Sequence, residues 1–550
     1  MDLDNILKHI NFAHLKTELK SALCSLINVI EKLSSENHQL KVEIQRLRDE
    51  NNRLKGEQGK PDIKPNSKSN KDISSEQERK QQCPHRKRKK RTRNKHITIN
   101  RTEKCYVDKS KLPDDAEFKG YNTVIVQDIK IQPDNIEFKK EVYYSASLNK
   151  TYMAKLPQGY EGEFGPTIKA LTIIFKNICN MSTAKIFEFF KHVGIFISIG
   201  KISNILIKDH QSFHQEKTDI VASALATTVY QAIDDTKARV KGQNYHTHIL
   251  GNPYFTAYFT EQQKNRLTVL NVLLNGQKLT YCLNDHAFSI LNQLVISKKH
   301  FKKLEQLKSE IIFNQQQFEN LISQHFPLLE HRTKSKILEA AAIAAYRKGV
   351  DCLVVKILLC DDAPQFKLIC DKLALCWVHD GRHYKKLNPA FKYNATKVNK
   401  FLKKYWTYYH KLLNFKKSPS GEKAKQLADE FDHLFSTVTG YNELDDRILK
   451  TKMKKEQLLL VLNYPDIPLH NNDMELGARV CARKRDVSLH TMTNEGTKAN
   501  DTFLTIVETC KKLDVNPFHY IIDRIEKTHN LPSLAHIIVQ KHKQNWLHNS

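Results

Sequence analysis

The sequence predicts a multidomain protein that combines α+β and α/β architecture, and three features predict it. Leucines recur every seven residues near the N-terminus, a dense basic block follows, and two strand-like apolar runs later in the chain each lead into an aspartate. The chain has 550 residues. Because domains usually run to about 100–200 residues, several domains are expected.

The heptad pattern is the most regular feature of the chain. Residues at one seam position are all leucine: Leu19, Leu26, Leu33, Leu40, Leu47 and Leu54. The alternate seam position holds Leu23, Ile30, Asn37, Ile44 and Asn51. This pattern predicts a leucine-zipper-like coiled coil within residues 1–56 that pairs in parallel as a homodimer, with asparagine setting the register. The competing interpretation is an amphipathic helix packed on its own globule.

The charge of the chain predicts a polyanionic partner. Lysine and arginine number 88 against 60 acidic residues, which gives a net charge of +28 and a pI near 9.4. Nucleic acid is the usual partner of so basic a chain, and an anionic membrane surface is the competing one. The sequence has no apolar run of the roughly 18 residues that a spanning helix needs. The start, Met1-Asp2-Leu3-Asp4, lacks a signal-peptide pattern, so a cytoplasmic, nucleoid-associated protein is expected.

Residues 57–100 predict a disordered linker that ends in a basic arm. Their composition is polar, and the arm contains Arg86, Lys87, Arg88, Lys89, Lys90, Arg91 and Arg93. Such a block neutralises DNA phosphates without reading sequence. A nuclear-targeting signal is the weaker interpretation.

Residues 101–160 predict a small β-rich module. Strands are expected at residues 123–126 and 142–144, where valine, isoleucine and tyrosine cluster. Cys83, His85 and Cys105 have poor spacing for zinc, so no zinc site is expected. The eleven cysteines include no CxxC pair and are expected to be reduced.

Residues 161–222 predict a helix-turn-helix-like DNA-binding region. Ser182 can cap one short helix, Gly194 lies in the turn, and Ser198 can cap a second helix that carries Lys201. Any helical hairpin shares this outline, so DNA binding by Lys201 is one of two interpretations.

Residues 223–485 predict a ribonuclease-H-like core. An apolar run at 227–233 ends at Asp234, strands are expected at 254–259 and 266–270, and a helical stretch near 300–350 precedes a run at 353–360 that ends at Asp361. A lysine-rich helical insertion is expected at about 390–460, and a C-terminal helical region at 486–550.

Three acids are the candidate catalytic and metal-binding residues. Asp234 and Asp361 follow predicted strands, and Glu475 opens a basic helix. Carboxylates that meet at one point suit two Mg²⁺ or Mn²⁺ ions in phosphodiester chemistry. Asp362 is the alternative second carboxylate. With 60 acidic residues in the chain, an accidental grouping is the competing interpretation.

Three motifs resemble the transposases of insertion-sequence family sixty-six. Ile233-Asp234-Asp235-Thr236 resembles the Ala-Asp-Glu-Thr segment of that family. Cys376-Trp377-Val378-His379-Asp380-Gly381-Arg382 resembles its Cys-Trp-Ala-His-x-x-Arg segment. The segment from Pro468 through Asn471 and Asn472 to Glu475 resembles its Pro-x-x-Asn-Asn-x-x-Glu segment. The zipper, basic region and helix-turn-helix also stand in the order of the family.

The resemblance implies cleavage and strand transfer of double-stranded DNA, at transposon ends and target, by a DDE core with Asp234, Asp361 and Glu475 as the triad. It implies that accessory proteins of the same element are possible partners. The four-ligand zinc module of the family lacks a full counterpart here. Asn471 and Asn472 are expected to cap the helix or orient Glu475, Arg479 and Arg483 to contact phosphates, and His379 and Arg382 to support the core.

Two other functions compete with the transposase. A non-catalytic dimeric regulator would explain the charge and the zipper but not three acid-bearing motifs in order. A ribonuclease-H-like nuclease without strand transfer would share the acids. Mg²⁺-dependent cleavage of cognate ends would separate the regulator from both enzymes.

Overall fold

A computed structural model describes residues 16–55, 97–113, 116–349 and 353–549. Within these ranges the protein is mixed α/β. The predicted basic arm, with Arg86, Lys87, Arg88, Lys89, Lys90, Arg91 and Arg93, lies outside them, as do Cys83 and His85. No described helix combines the length and the apolar character that crossing a lipid bilayer requires.

The strands and helices are numbered here in chain order. The strands are β1 Val142–Ser145, β2 Lys150–Met153, β3 Tyr230–Val240, β4 Gln243–Asn252, β5 Phe255–Glu261, β6 Thr280–Leu283, β7 Ser309–Asn314, β8 Ile357–Cys360 and β9 Lys372–Leu375. The helices of the N-terminal half are α1 Thr17–Leu54, α2 Pro166–Asn177, α3 Thr183–His192, α4 Ile199–Ile207, α5 Gln211–Leu225, α6 Arg266–Leu273, α7 Asp285–Leu294, α8 Lys298–Glu305, α9 Gln315–His325 and α10 His331–Lys348. Those of the C-terminal half are α11 Trp377–Lys385, α12 Lys392–Lys417, α13 Gly421–Leu434, α14 Asn442–Lys452, α15 Lys455–Leu458, α16 Asn472–Ser488, α17 Asn494–Lys512, α18 Pro517–Glu526 and α19 Leu534–Asn549.

A five-stranded mixed sheet forms the centre of the fold, in the order β5-β4-β3-β8-β9. The first three strands make an antiparallel meander. Strand β8 then pairs parallel to β3, and β9 pairs parallel to β8. The chain between β5 and β8 includes the separate β6–β7 pair and five helices.

The register of the parallel pair sets the positions of two acids. Tyr230 lies opposite Ile357, and Ala232 opposite Leu359. Continuing the same register brings Asp234 level with Asp361, the residue that follows β8. Because side chains alternate along a strand, Asp234 shares a sheet face with Tyr230 and Ala232.

Three local expectations are wrong. Asp234 does not end its strand, because β3 continues to Val240 in a long pairing with β4. Residues 266–270 form the start of α6, because the side chain of Asn265 accepts from the N–H of Thr268 and caps a helix there. The third meander strand is therefore β5, at the expected 254–259 run. Residues 123–126 are not a strand, whereas the expected strand at 142–144 is β1.

Helix α16 packs closely on the face of the sheet that carries Asp234. Met474 is fully buried among Tyr230, Ala232 and neighbouring strand residues. Gly477 lies so near the sheet that an added Cβ would stand 2.9 Å from Cγ2 of Ile249. Glycine at this position lets the helix backbone approach β4, which brings Glu475 to the sheet face.

Helix α17 covers the open edge of the sheet at β5. The N–H groups of Tyr258 and Thr260 donate to the Thr505 hydroxyl at 3.1 Å and the Asp501 carboxylate at 2.7 Å. Thr509 accepts from the N–H of Thr256 at 3.4 Å. Residues four apart on a helix span about 6 Å, close to the roughly 6.6 Å between alternate strand residues. The helix therefore satisfies donors that an edge strand would leave open to pairing.

Helix α1 contacts the body of the protein through the side that carries Asn28, Glu31 and the buried Ile27. The Asn28 amide donates to Oδ1 of Asn442 at 3.1 Å, and the buried Glu31 carboxylate accepts from the Asn394 amide at 2.6 Å. The seam leucines, exemplified by Leu33 and Leu40, are exposed. The expected helix is confirmed, and the leucines of one seam position face away from this contact, whereas Leu23 and Ile30 of the alternate position are half-buried.

The helical pair expected from Ser182 and Ser198 is confirmed. The Ser182 hydroxyl accepts from the N–H of Lys185 at the start of α3, and Ser198 accepts from the N–H of Lys201 at the start of α4. Gly194 has a positive φ of 82° in the turn between them. Helices α12 to α15 occupy the region where the insertion was expected.

Replacing Gly477 by alanine is predicted to destabilise the protein. The new methyl group would overlap the packed Ile249 side chain, and overpacking typically costs about 1–3 kcal/mol. Gly421 is the control, because it also lies in a helix and an added Cβ meets nothing within 4 Å. Chemical denaturation should show a lower midpoint for Gly477→Ala and no loss for Gly421→Ala. Equal midpoints would contradict the close packing of α16.

Candidate active site

Asp234 lies in an environment that disfavours its charge. Burial, and to a lesser extent the negative charges of Asp361, Asp235 and Glu475, raise its pKa to about 7, against an ordinary 3.8. The N–H of Asp235 donates to its carboxylate at 2.8 Å and partly opposes the shift. The carboxylates of the predicted triad are therefore near enough to repel one another.

Asp361 and Asp362 have different partners. Asp361 accepts from the N–H of Ala363 at 3.1 Å, next to the end of β8. Asp362 is held by two ammonium groups, Lys367 at 2.9 Å and Lys454 at 2.5 Å, and these lower its pKa. Asp361 thus faces the Asp234 side of the sheet, whereas Asp362 is already neutralised by lysines.

Asp235, the neighbour of Asp234, is also compensated. Lys264 pairs with one carboxylate oxygen at 2.9 Å, and the Gln365 amide donates to the other at 2.7 Å. Within the described ranges, neither Asp234 nor Asp361 is among the carboxylates paired with lysine or arginine. The uncompensated negative charge is therefore concentrated on this pair.

Glu475 is held by Arg382 from helix α11. The guanidinium donates to its two carboxylate oxygens at 2.8 and 3.3 Å, a two-point contact. His379 stands beside the pair, with Nδ1 3.6 Å from Glu475. Burial lowers the pKa of His379, and the positive charge of Arg382 lowers it further. His379 and Arg382 from one motif therefore both contact Glu475 from another motif.

Cys376, His379 and Glu475 also offer ligand atoms within 4.8 Å of one another. In the described chain Asp234, Asp361 and Glu475 do not form so tight a group, because Glu475 is turned toward Arg382. The Cys376 thiol is neutral at ordinary pH, since burial raises its pKa to about 11. It accepts from the N–H of Asn471 at 3.3 Å, which is a structural contact.

Asn471 does not cap the helix as expected. Its side chain makes no capping bond; its amide donates to the carbonyl of Ile233 at 2.7 Å. The residue therefore ties the start of α16 to the strand residue before Asp234. Asn472 is the first residue of the helix.

The predicted DNA-binding residues do not all lie near the acids. Arg479 and Arg483 are exposed on α16. Lys201 lies on α4, near the ring of Phe164. Arg485, which the sequence interpretation omitted, is the arginine of α16 that reaches the sheet, where it contacts the Thr236 hydroxyl at 3.4 Å. Lys484 beside it is buried.

Other residues that shape the site were also missed. Gly477 and Gly251 allow α16 to approach the sheet, Lys264 pairs with the charge of Asp235, and the Gln365 amide donates to the same carboxylate. The only sequence clue was the glycine two residues after Glu475, since a glycine inside a helix often marks close packing.

These features define a mixed α/β protein with a cluster of acids between a central sheet and a helix. A sequence model of the Transposase IS66 family matches residues 356–499, which include Asp361 and Glu475 but not Asp234. An uncharacterized protein of Sinorhizobium fredii, y4jO, is 33% identical over 304 residues, which are 55% of this chain and 94% of that protein. The chain belongs to the IS66 family of transposases.

The raised pKa of Asp234 predicts how metal-free stability depends on pH. Below about pH 4 the group is protonated in both folded and unfolded chains. Between about pH 4 and 7 only the folded chain keeps the proton, so stability falls as pH rises, by at most about 1.4 kcal/mol per unit. Asp234→Asn should lack this loss of stability. From pH 4 to 7 its unfolding midpoint should therefore rise relative to that of the wild type. Urea denaturation in chelator measures it, and parallel pH profiles would contradict it.

Proposed function

We propose that the protein is a DNA transposase whose Asp234, Asp361 and Glu475 catalyse DNA cleavage and strand transfer. The observation that carries the proposal is the level placement of Asp234 and Asp361 on neighbouring parallel strands, under a helix that carries Glu475. Membership of a transposase family supports this activity. A regulator without catalysis would have no use for a half-buried pair of carboxylates that no described lysine or arginine compensates.

The topology supports a ribonuclease-H-like core. An antiparallel meander whose first strand lies at the centre, followed by two parallel strands added at its other side, matches that fold. Asp234 then lies on the first strand and Asp361 after the fourth, with Glu475 on a later helix. Because the third carboxylate lies on a helix outside the sheet, the chain between Asp361 and Glu475 can contain the insertion that α12 to α15 form.

The acid pair fits a divalent cation. Asp234 and Asp361 offer hard oxygen ligands, which select Mg²⁺ or Mn²⁺. Burial and, to a lesser extent, the charge of Asp361 raise the pKa of Asp234, and a bound cation would offset both effects. Glu475 would join them after exchanging Arg382 for the cation. A bound divalent metal supplies acidification of an attacking water and stabilisation of the leaving 3′ oxygen.

The residues of the chain have separate tasks in this chemistry. Asp234 and Asp361 must be ionised, which the neutralisation of Asp235 and Asp362 by lysines favours. Arg382 and His379 position the Glu475 carboxylate. In cleavage, a water oxygen bonds to phosphorus and the bond from phosphorus to the 3′ oxygen breaks. In strand transfer, the freed 3′-OH attacks a target phosphodiester: its oxygen bonds to the target phosphorus, and the bond from that phosphorus to the 3′ oxygen of the target breaks.

Substitution of the three acids tests the proposal. Asp234→Asn, Asp361→Asn and Glu475→Gln should each reduce Mg²⁺-dependent cleavage of DNA carrying the element's terminal repeats by at least about 100-fold, while DNA binding persists, because each change removes a charged ligand and keeps the shape. Mutational losses of single catalytic groups are of that order or larger. Gel analysis of labelled ends measures cleavage, and anisotropy measures binding.

Asp362→Asn discriminates between the two adjacent acids. Because Asp362 is paired with Lys367 and Lys454, its loss should leave most cleavage intact. Cleavage that survives Asp361→Asn but not Asp362→Asn would move the second carboxylate to Asp362. Cleavage that survives all three triad changes would refute the catalytic proposal.

DNA binding is proposed to use several basic surfaces. Helix α4 carries Lys201, α16 exposes Arg479 and Arg483, and the arm containing Arg86 to Arg93 would add phosphate contacts. The net charge of +28 supports a nucleic-acid partner.

We further propose that the chain pairs through α1. The leucine seam is exposed, and another side of the helix, with Asn28, Glu31 and the buried Ile27, is engaged by the body of the same chain. Leu33→Lys with Leu40→Lys should therefore yield monomers without loss of folding, because these side chains make no part of the buried core. Sedimentation measures the mass. A monomeric wild-type protein would contradict pairing.

A further inference from the structure

A basic cavity lies on the same sheet face as Asp234, farther along β3. Its volume is about 350 Å³, and its wall includes Ala238, Arg239 and the C-terminal part of α16. Four lysine or arginine residues line it: Lys176, Arg239, Lys484 and Arg485. No aspartate or glutamate is among the described residues that line it. The cavity therefore carries a local excess of positive charge.

Lys484 is the buried cation of this cavity. Only 7% of its surface is exposed, and its ammonium donates to the Asn177 side-chain oxygen at 2.6 Å. Burial, together with the positive charge of Lys176, lowers its pKa to about 7. The ammonium of Lys176 donates to the Ser488 hydroxyl at 2.8 Å. The described partners of both ammonium groups are thus neutral oxygens. A buried charge with only neutral partners is costly unless an anion compensates it.

The N-terminus of helix α3 adds to the positive charge of the cavity. Ser182 and Thr183, at the start of α3, line the cavity. The N-terminus of a helix of this length carries partial positive charge and N–H donors. Thr247, Thr260 and Thr491 line other parts of the wall, and their hydroxyls bond within the protein, that of Thr260 to the Asp501 carboxylate. Cations and helix N–H donors together are groups that hold a phosphate.

The cavity and the acids lie on the same face of the sheet. Ala238 lies four residues beyond Asp234, or about 13 Å along the strand. Arg485 lies ten residues beyond Glu475, or about 15 Å along the helix. The contact between Arg485 and Thr236 lies between them. A DNA strand with one phosphate at the acids would pass the cavity a few nucleotides away.

We propose that this cavity binds a backbone phosphate of the DNA strand whose neighbouring phosphodiester is cut at Asp234 and Asp361. The choice of DNA as the source of the phosphate rests on the proposed function. A free phosphate ion offers the same chemistry, and the experiment separates the two sources.

The test compares the full-length wild type with a Lys176→Met, Lys484→Met double variant. Methionine keeps the length and apolar stem of lysine and removes the charge. Lys541→Met is the control, because Lys541 is half-buried like Lys176, donates to the carbonyl of Leu513 at 2.8 Å, contacts the exposed Asp514 carboxylate at 3.5 Å, and does not line the cavity. All measurements use chelator without divalent metal, so they do not depend on cleavage.

Two readouts are expected to change in the double variant alone. Inorganic phosphate should raise the melting temperature of the wild type and control but not of the variant. Affinity for duplex DNA should fall roughly tenfold, the size of a lost charge-assisted hydrogen bond. The slope of log affinity against log salt should become shallower by about 0.9 for one lost phosphate contact.

The outcomes separate this proposal from the catalytic one. A double variant that matches Lys541→Met in both readouts would overturn the phosphate site. Loss of phosphate protection with unchanged DNA binding would mean that the cavity takes a free anion, which also overturns the proposal. If the double variant does not fold, Arg239→Gln, on the exposed rim, replaces it and should shift the same readouts. Persisting cleavage in Asp234→Asn would refute the catalytic triad and leave these binding results unaffected.

Discussion

The close packing of α16 on the central sheet is the contact on which both proposed sites depend. Gly477 removes the side chain that would hold the helix away from Ile249, and the Asn471 amide ties the start of the helix to the carbonyl of Ile233. The N-terminal part of the helix then carries Glu475 above the acid pair. Its C-terminal part brings Lys484 and Arg485 over the far end of β3. One rigid element thus joins the carboxylates and the basic cavity.

Negative charge lies near the N-terminal part of α16, and positive charge lies near its C-terminal part. Negative charge is left uncompensated at Asp234 and Asp361, whereas Asp235 and Asp362 are neutralised by lysines. Positive charge is left without an anionic partner at Lys176 and Lys484. Both imbalances are costly in a folded chain, and the proposed metal ion and DNA phosphate would relieve them. In the absence of a cation, Arg382 holds the Glu475 carboxylate.

The sequence predicted the features that depend on local patterns. The helix over the heptads, the caps at Ser182 and Ser198, and the strand before Asp361 follow from periodicity and capping chemistry. It failed where local and tertiary preferences compete. Residues 266–270 have strand-like composition, but Asn265 caps them as a helix. Residues 123–126 have strand propensity without a strand partner in the described chain. The partners of the acids, such as Lys264 and Lys454, come from distant segments that no spacing rule connects.

The most direct test of the central claim is the anomalous scattering of Mn²⁺ in crystals of the wild-type protein. The account predicts a peak that lies between the carboxylates of Asp234 and Asp361, within about 2.0–2.6 Å of an oxygen from each, as hard cations require. A peak at Cys376, His379 and Glu475 without one at the aspartates, or no bound metal near β3, would contradict it.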